Sequence, residues 1–247
     1  MNSKCLLLTH QFIRNDKEAC WKRSSFDICV QHYKKYNPDT YIIITGHGQE
    51  LFKETIAAAD HVYWPSTILP GEIDKGHPKL VTAGLEHARD AGFKHVCKSR
   101  LDSIVIPDVV GYCDEVLRDS GKVMLNSNYA AHAYLLWDLF MYSPTEVMLN
   151  LFDPSTWSVP WDNSGMGPVA KNYVERVCDE TLKFPFDKEF WEEIVHRNTV
   201  FLTPHELKWI DFRRWHNQLL AQGHRIIQND LPDYAKYPFD CGNLIYK

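Results

Sequence analysis

Short apolar runs and longer segments of helical period alternate along the first hundred residues. Residues 5–9 (Cys5, three leucines, Thr9) form an apolar run that predicts a buried first strand. Residues 18–36 then place Trp21, Phe26, Ile28, Cys29, Val30 and Tyr33 at helical spacing, with Asp16 as the N-cap. The Asn37-Pro38-Asp39 turn leads into residues 40–45, a β-branched stretch and the strongest strand signal in the chain. A short helix over 50–59, a strand over 61–64, a long loop over 65–78 and a helix over 79–91 follow, and Gly92 closes that helix. Strands alternating with helices predict an α/β fold: a Rossmann-like, mostly parallel sheet flanked by helices. Right-handed crossovers gather the strand-exit loops on one edge: residues 10–14, 45–48, 64–70 and the turn at Asp102.

The next strand changes character along its length. His95, Val96 and Cys97 open it, Lys98, Arg100 and Asp102 then fall at every second position, and Ile104, Val105 and Ile106 continue it until Pro107. An extended chain points Lys98, Arg100 and Asp102 to one side. Two readings follow. The triplet is either an ion-pair ladder on a surface strand or an anion-and-metal site, with Lys98 and Arg100 offsetting phosphate charge and Asp102 holding a divalent cation. Ligands of open α/β sheets bind at the carboxyl ends of strands, where the triplet falls.

Beyond it, the pattern predicts a helix over 108–117 and a strand over 122–125. Residues 133–142 are apolar around the single carboxylate of Asp138. Ser143 and Pro144 read as the N-cap and first residue of a helix to about 152. Residues 153–168 form an irregular loop with Trp157, Trp161 and Asp162, either a sugar-stacking platform or an aromatic-pinned loop. Helices are expected over 169–182 and 190–197, a short extended piece at 201–203, and a surface tail from residue 231. The whole chain reads as one domain over 1–247, with a more helical C-terminal part. Asp138 is either a carboxylate capping local amides or a catalytic group.

Composition narrows the chemistry. A net charge of −5 argues against a general nucleic-acid binder. The 7 cysteines include no C-x-x-C pair and fit a reducing, cytosolic compartment. No apolar run reaches the length of a membrane span, and no signal peptide is evident. The 12 histidines form no metal-binding pair in sequence, although His196, His205 or His216 could complete a metal site begun by Asp102. Phosphate-loop, dinucleotide and nucleophile-elbow motifs are absent.

Taken in order, these features resemble the GT-A class of nucleotide-sugar glycosyltransferases. Lys98-Ser99-Arg100-Leu101-Asp102 is similar to the Lys-x-Arg-x-Asp version of the DXD motif in WavE-like lipopolysaccharide-synthesis transferases and their viral relatives. Thr82-Ala83-Gly84-Leu85 and the segment from Trp137 to Tyr142 fit the same pattern, which covers roughly residues 5–152. One acid of the DXD pair is replaced by Arg100. The resemblance implies a donor half over about 1–108 and an acceptor half over about 109–247. It implies transfer from a nucleotide-diphospho-sugar to a glycan or glycoconjugate in polysaccharide biosynthesis, in the cytoplasm (the host's, for a viral chain). It assigns Mn²⁺ or Mg²⁺ to Asp102, the diphosphate to Lys98 and Arg100, and the nucleoside to Thr9, His10, Arg14, Thr45 and His47, with Lys79 a further donor-binding residue. Asp138 and then Asp162 are the candidates for the base of an inverting mechanism. The rivals are a sugar-phosphate nucleotidyltransferase, disfavoured because residues 10–15 hold no glycine, and a non-catalytic carbohydrate-binding domain with a degenerate site.

Overall fold

A computed structural model describes residues 4–10, 16–47, 50–65, 73–156, 167–203, 206–207 and 210–211. Its order is β1 (Lys4–Thr9), α1 (Asp16–Tyr36), β2 (Thr40–Thr45), α2 (Lys53–Ala58), β3 (His61–Tyr63), α3 (Ile73–Asp90), β4 (His95–Arg100), β5 (Ser103–Ile104), α4 (Val109–Ser120), β6 (Met124–Asn126), β7 (Phe140–Pro144), α5 (Thr145–Leu151), α6 (Pro168–Asn172), α7 (Lys188–Asn198), β8 (Thr199–Phe201) and β9 (Ile210–Asp211). A 3₁₀ turn at Pro154–Thr156 and a π turn at Tyr173–Val177 complete it.

Seven strands form the main sheet in the order β3-β2-β1-β4-β7-β6-β8. The β1–β2, β1–β4, β2–β3 and β6–β8 pairs are parallel, and β7 runs antiparallel to both of its neighbours. The alternation of strand side chains divides the core into two layers. Leu6, Leu8, Ile42, Ile44 and Cys97 meet Phe26, Val30 and Tyr33 of α1 and Val109, Cys113 and Leu117 of α4. Cys5, Leu7, Ile43, Val96 and Met141 meet Val81 and Leu85 of α3, Met148 and Leu151 of α5, and Trp191, Ile194 and Val195 of α7. Each fully buried side chain of this size contributes roughly 1.5–3 kcal/mol. The expected α/β architecture, a mostly parallel sheet flanked by helices, is therefore the one observed.

Two glycines allow close approach at the carboxyl edge, one in α3 and one just past β2. A Cβ on Gly84 of α3 would stand 2.4 Å from Leu7 and 2.9 Å from Thr45. A Cβ on Gly46 would stand 2.3 Å from the Trp64 ring and 3.0 Å from the His10 carbonyl. Both backbones therefore lie against the ends of β1 and β2.

Several boundaries differ from expectation. Helix α3 begins at Ile73, so Pro78 lies inside it rather than ending a loop. β4 stops at Arg100; Leu101 and Asp102 form a turn, and Ser103–Ile104 pairs separately with Ile210–Asp211. Ser143 and Pro144 end β7 instead of starting a helix. Ser143 pairs with Val96, and its hydroxyl donates to the Val123 carbonyl at 3.0 Å. The helix expected over 169–182 breaks after the π turn, and Asp179 adopts a left-handed φ of 54°. Among the described residues no helix is long and apolar enough to cross a membrane.

Candidate functional site

Parallel pairing places Thr45 opposite Thr9 and Thr9 opposite Arg100. The three therefore form one row across the ends of β2, β1 and β4, on the face covered by α3. The backbone of the next residues continues the edge: His10 N–H donates to the Thr45 carbonyl at 3.0 Å, and Leu101 N–H to the Thr9 carbonyl at 2.8 Å. Thr9 and Thr45 are buried, and neither hydroxyl has a hydrogen-bond partner among the described residues. Unsatisfied buried hydroxyls are costly, and at the carboxyl edge of an α/β sheet they point to a polar ligand or ordered water.

Arg100 ends the row. Its Nε donates to Asp102 Oδ1 at 2.7 Å and its Nη2 to Oδ2 at 2.5 Å, a bidentate fork that fixes the guanidinium plane. The Asp102 side chain is 0% exposed and that of Arg100 20%. The turn at 101–102 makes this pair possible, because it folds Asp102 back over the strand end instead of continuing the alternation. Two of the five guanidinium N–H groups go to Asp102, and three lie outside that pair.

One row further into the sheet, Lys98 is entirely buried and turns toward the start of β7. Its ammonium donates to the main-chain carbonyl of Asp138 and to Oδ2 at 3.2 Å, and lies 5.2 Å from the Phe152 ring centroid. His77, in the first half of α3, places Nε2 2.5 Å from the same Oδ2 and meets Phe152 edge-on at 6.1 Å. Burial pushes the Asp138 carboxyl upward, but the Lys98 and His77 side chains more than reverse it and hold the group well below the carboxylate range. Burial lowers the Lys98 pKa, opposed by Asp138 and reinforced by Arg100. The geometry suits Asp138 to anchoring Lys98 and joining α3 to the β7 entrance.

The expected site residues are thus only partly gathered. Thr9, His10, Thr45, His47 and Arg100 meet at the carboxyl ends of β1, β2 and β4; the His10 and His47 side chains are buried. Lys98 has no exposed surface with which to touch a ligand. Lys79 lies exposed on α3, two residues past His77. His196 lies exposed at the other end of the sheet from β3, with Nε2 3.1 Å from the Tyr129 hydroxyl. Arg14, Asp162, Trp157, Trp161, His205 and His216 lie outside the described residues.

His77 was not among the expected residues. Its signal was present: 77, 81, 84, 85 and 88 form a helical stripe whose other members face the core.

A divalent cation does not fit what is described. Both Asp102 oxygens are engaged by Arg100, and among the described residues no three His, Cys, Asp or Glu side chains are grouped to hold an ion.

No family model and no curated protein matches the chain. Among solved structures, the chain is similar to a protein of Desulfovibrio desulfuricans G20 provisionally named a nucleotide-diphospho-sugar transferase. The similarity covers 82% of this chain and 80% of that one, at 13% identity and a TM-score of 0.42.

Proposed function

We propose that the chain is a GT-A-type glycosyltransferase that moves a sugar from a nucleotide-diphospho-sugar to a glycan or glycoconjugate acceptor. The observation that carries this reading is the partly exposed, oriented guanidinium of Arg100 at the carboxyl edge, in one row with Thr9 and Thr45 at the ends of β1 and β2. An oriented cation at the carboxyl edge of an α/β sheet suits an anionic ligand. The nucleoside would lie over β1 and β2, in the half up to residue 108, and the diphosphate against Arg100. Residues 109–247 would build the acceptor side.

In transfer, the acceptor oxygen bonds to the anomeric carbon, the bond from that carbon to the diphosphate oxygen breaks, and the hydroxyl proton leaves. The nucleoside diphosphate departs with the electron pair, and a cation positioned beforehand stabilises the charge it gains. Arg100 is placed for that task, and Lys98 adds positive charge from behind the sheet end. Asp162 remains the carboxylate for proton removal in an inverting mechanism, since Asp138 is committed to Lys98 and His77.

A second reading has its own observation. Each cation has an acid beside it, Lys98 with Asp138 and Arg100 with Asp102, as in a structural ion-pair network. That favours a binding domain with a degenerate site. Thermal unfolding with UDP-, GDP- and dTDP-sugars separates the two. One nucleotide class should raise the midpoint, by the equivalent of ~2.7 kcal/mol at a hundredfold excess over Kd. A flat response to all three would refute the transferase reading.

A further inference from the structure

We propose that donor recognition at this edge needs no divalent cation: Arg100, oriented by Asp102, takes the place of a metal bridge to the diphosphate. This rests on the donor reading above. A carboxylate that ligates Mg²⁺ or Mn²⁺ must offer an oxygen to an ion that keeps several other oxygen ligands, commonly waters. Asp102 offers no access, and each of its oxygens already serves the fork to Arg100. It is 0% exposed, and each oxygen accepts a guanidinium N–H at 2.7 or 2.5 Å. Each oxygen keeps a second lone pair, but an ion using it would settle as a second cation beside Arg100, at a carboxylate with no surface open to the ion's waters.

A second acid near this edge, among the described residues, is also committed. Asp138 accepts from Lys98 and lies against His77, so recruiting it would strip a fully buried ammonium of its counter-charge. Arg100, by contrast, is partly exposed at the end of β4 with its plane fixed. A fixed planar fork is the geometry that binds phosphate oxygens in pairs. The substitution of Arg100 for an acid within the motif and the folding back of Asp102 are two parts of one arrangement: the acid serves the arginine.

The test is calorimetric titration of the full chain with UDP, GDP and dTDP, once with excess chelator and once with Mn²⁺. The nucleotide that binds should do so with a Kd that differs less than about twofold between the two buffers. Tightening by Mn²⁺ of about tenfold or more (~1.4 kcal/mol) would overturn the inference and leave the donor reading standing. Absence of binding in both buffers would defeat the donor reading and the inference with it. Arg100→Lys keeps the charge without the fork and should weaken binding about tenfold in both buffers. Wild-type affinity in that variant would overturn the proposal. So would an Asp102→Asn loss confined to the Mn²⁺ buffer.

Discussion

Arg100→Ala is expected to weaken nucleoside-diphosphate binding by about a hundredfold, because a charge-assisted contact is worth roughly 1.5–3 kcal/mol and no other described cation at this edge is placed to replace it. The neighbouring cation cannot substitute: Lys98 is 0% exposed and committed to Asp138. The substitution also leaves the buried Asp102 carboxylate without its bidentate partner, which costs about 3–5 kcal/mol of stability. The two effects are separable. In the double variant Arg100→Ala, Asp102→Ala the stranded charge is gone, so urea unfolding should return most of the stability while calorimetry still shows the binding loss. Near wild-type affinity in that folded double variant would mean that the diphosphate is held elsewhere.

The second large effect is on stability. Lys98→Met should cost about 3 kcal/mol, the range expected when one member of a buried ion pair is removed. The cost lies at the lower end because the Asp138 side chain is 25% exposed and keeps His77. Removing both charges with Lys98→Met, Asp138→Leu should recover most of it. A cost below about 1 kcal/mol for the single variant would show that the pair contributes no more than a surface salt bridge.

The pair also predicts an acid limb. The Asp138 carboxyl is held below its ordinary value in the fold, so its contribution is full above the unfolded pKa of about 3.9. That contribution is lost progressively as the pH falls below this point toward the folded pKa. Wild-type stability should therefore fall more steeply below about pH 4 than that of Asp138→Asn, measured by urea midpoint against pH.

Much of the first half of the fold was legible in the chain because β1 and β2 are apolar runs buried on nearly every residue and α3 carries a clear apolar stripe. The bounds of β2 follow directly from its β-branched residues. β7 was less legible. Its residues 140–143 are buried on both faces, and nothing local records whether such a strand runs with or against its neighbours. Ile104 and Val105 misled for a related reason: they are core residues, but of the layer under α1 and α4, and the chain has already turned at Leu101 and Asp102. Ser143 and Pro144 carry a helix-start signal, yet the β4 ladder claims Ser143 first.

At the site, alternation correctly put Lys98 and Arg100 on one face. It could not show that Lys98 reaches inward to Asp138, forty residues away in sequence, or that Asp102 folds back onto Arg100. Those contacts depend on the β7 insertion and the strand-end turn. His77 was hidden because Pro78 placed it at the end of a loop, whereas α3 begins at Ile73, and because its partner Asp138 is distant in sequence.

A crystal structure of the chain with a bound nucleoside diphosphate shows directly where the donor sits. The diphosphate should lie at the carboxyl ends of β1 and β4, with its oxygens within about 2.7–3.2 Å of the Arg100 guanidinium nitrogens and the nucleoside over Thr9 and Thr45. A nucleotide bound away from this edge, with Arg100 still turned wholly onto Asp102, would contradict the assignment of the site.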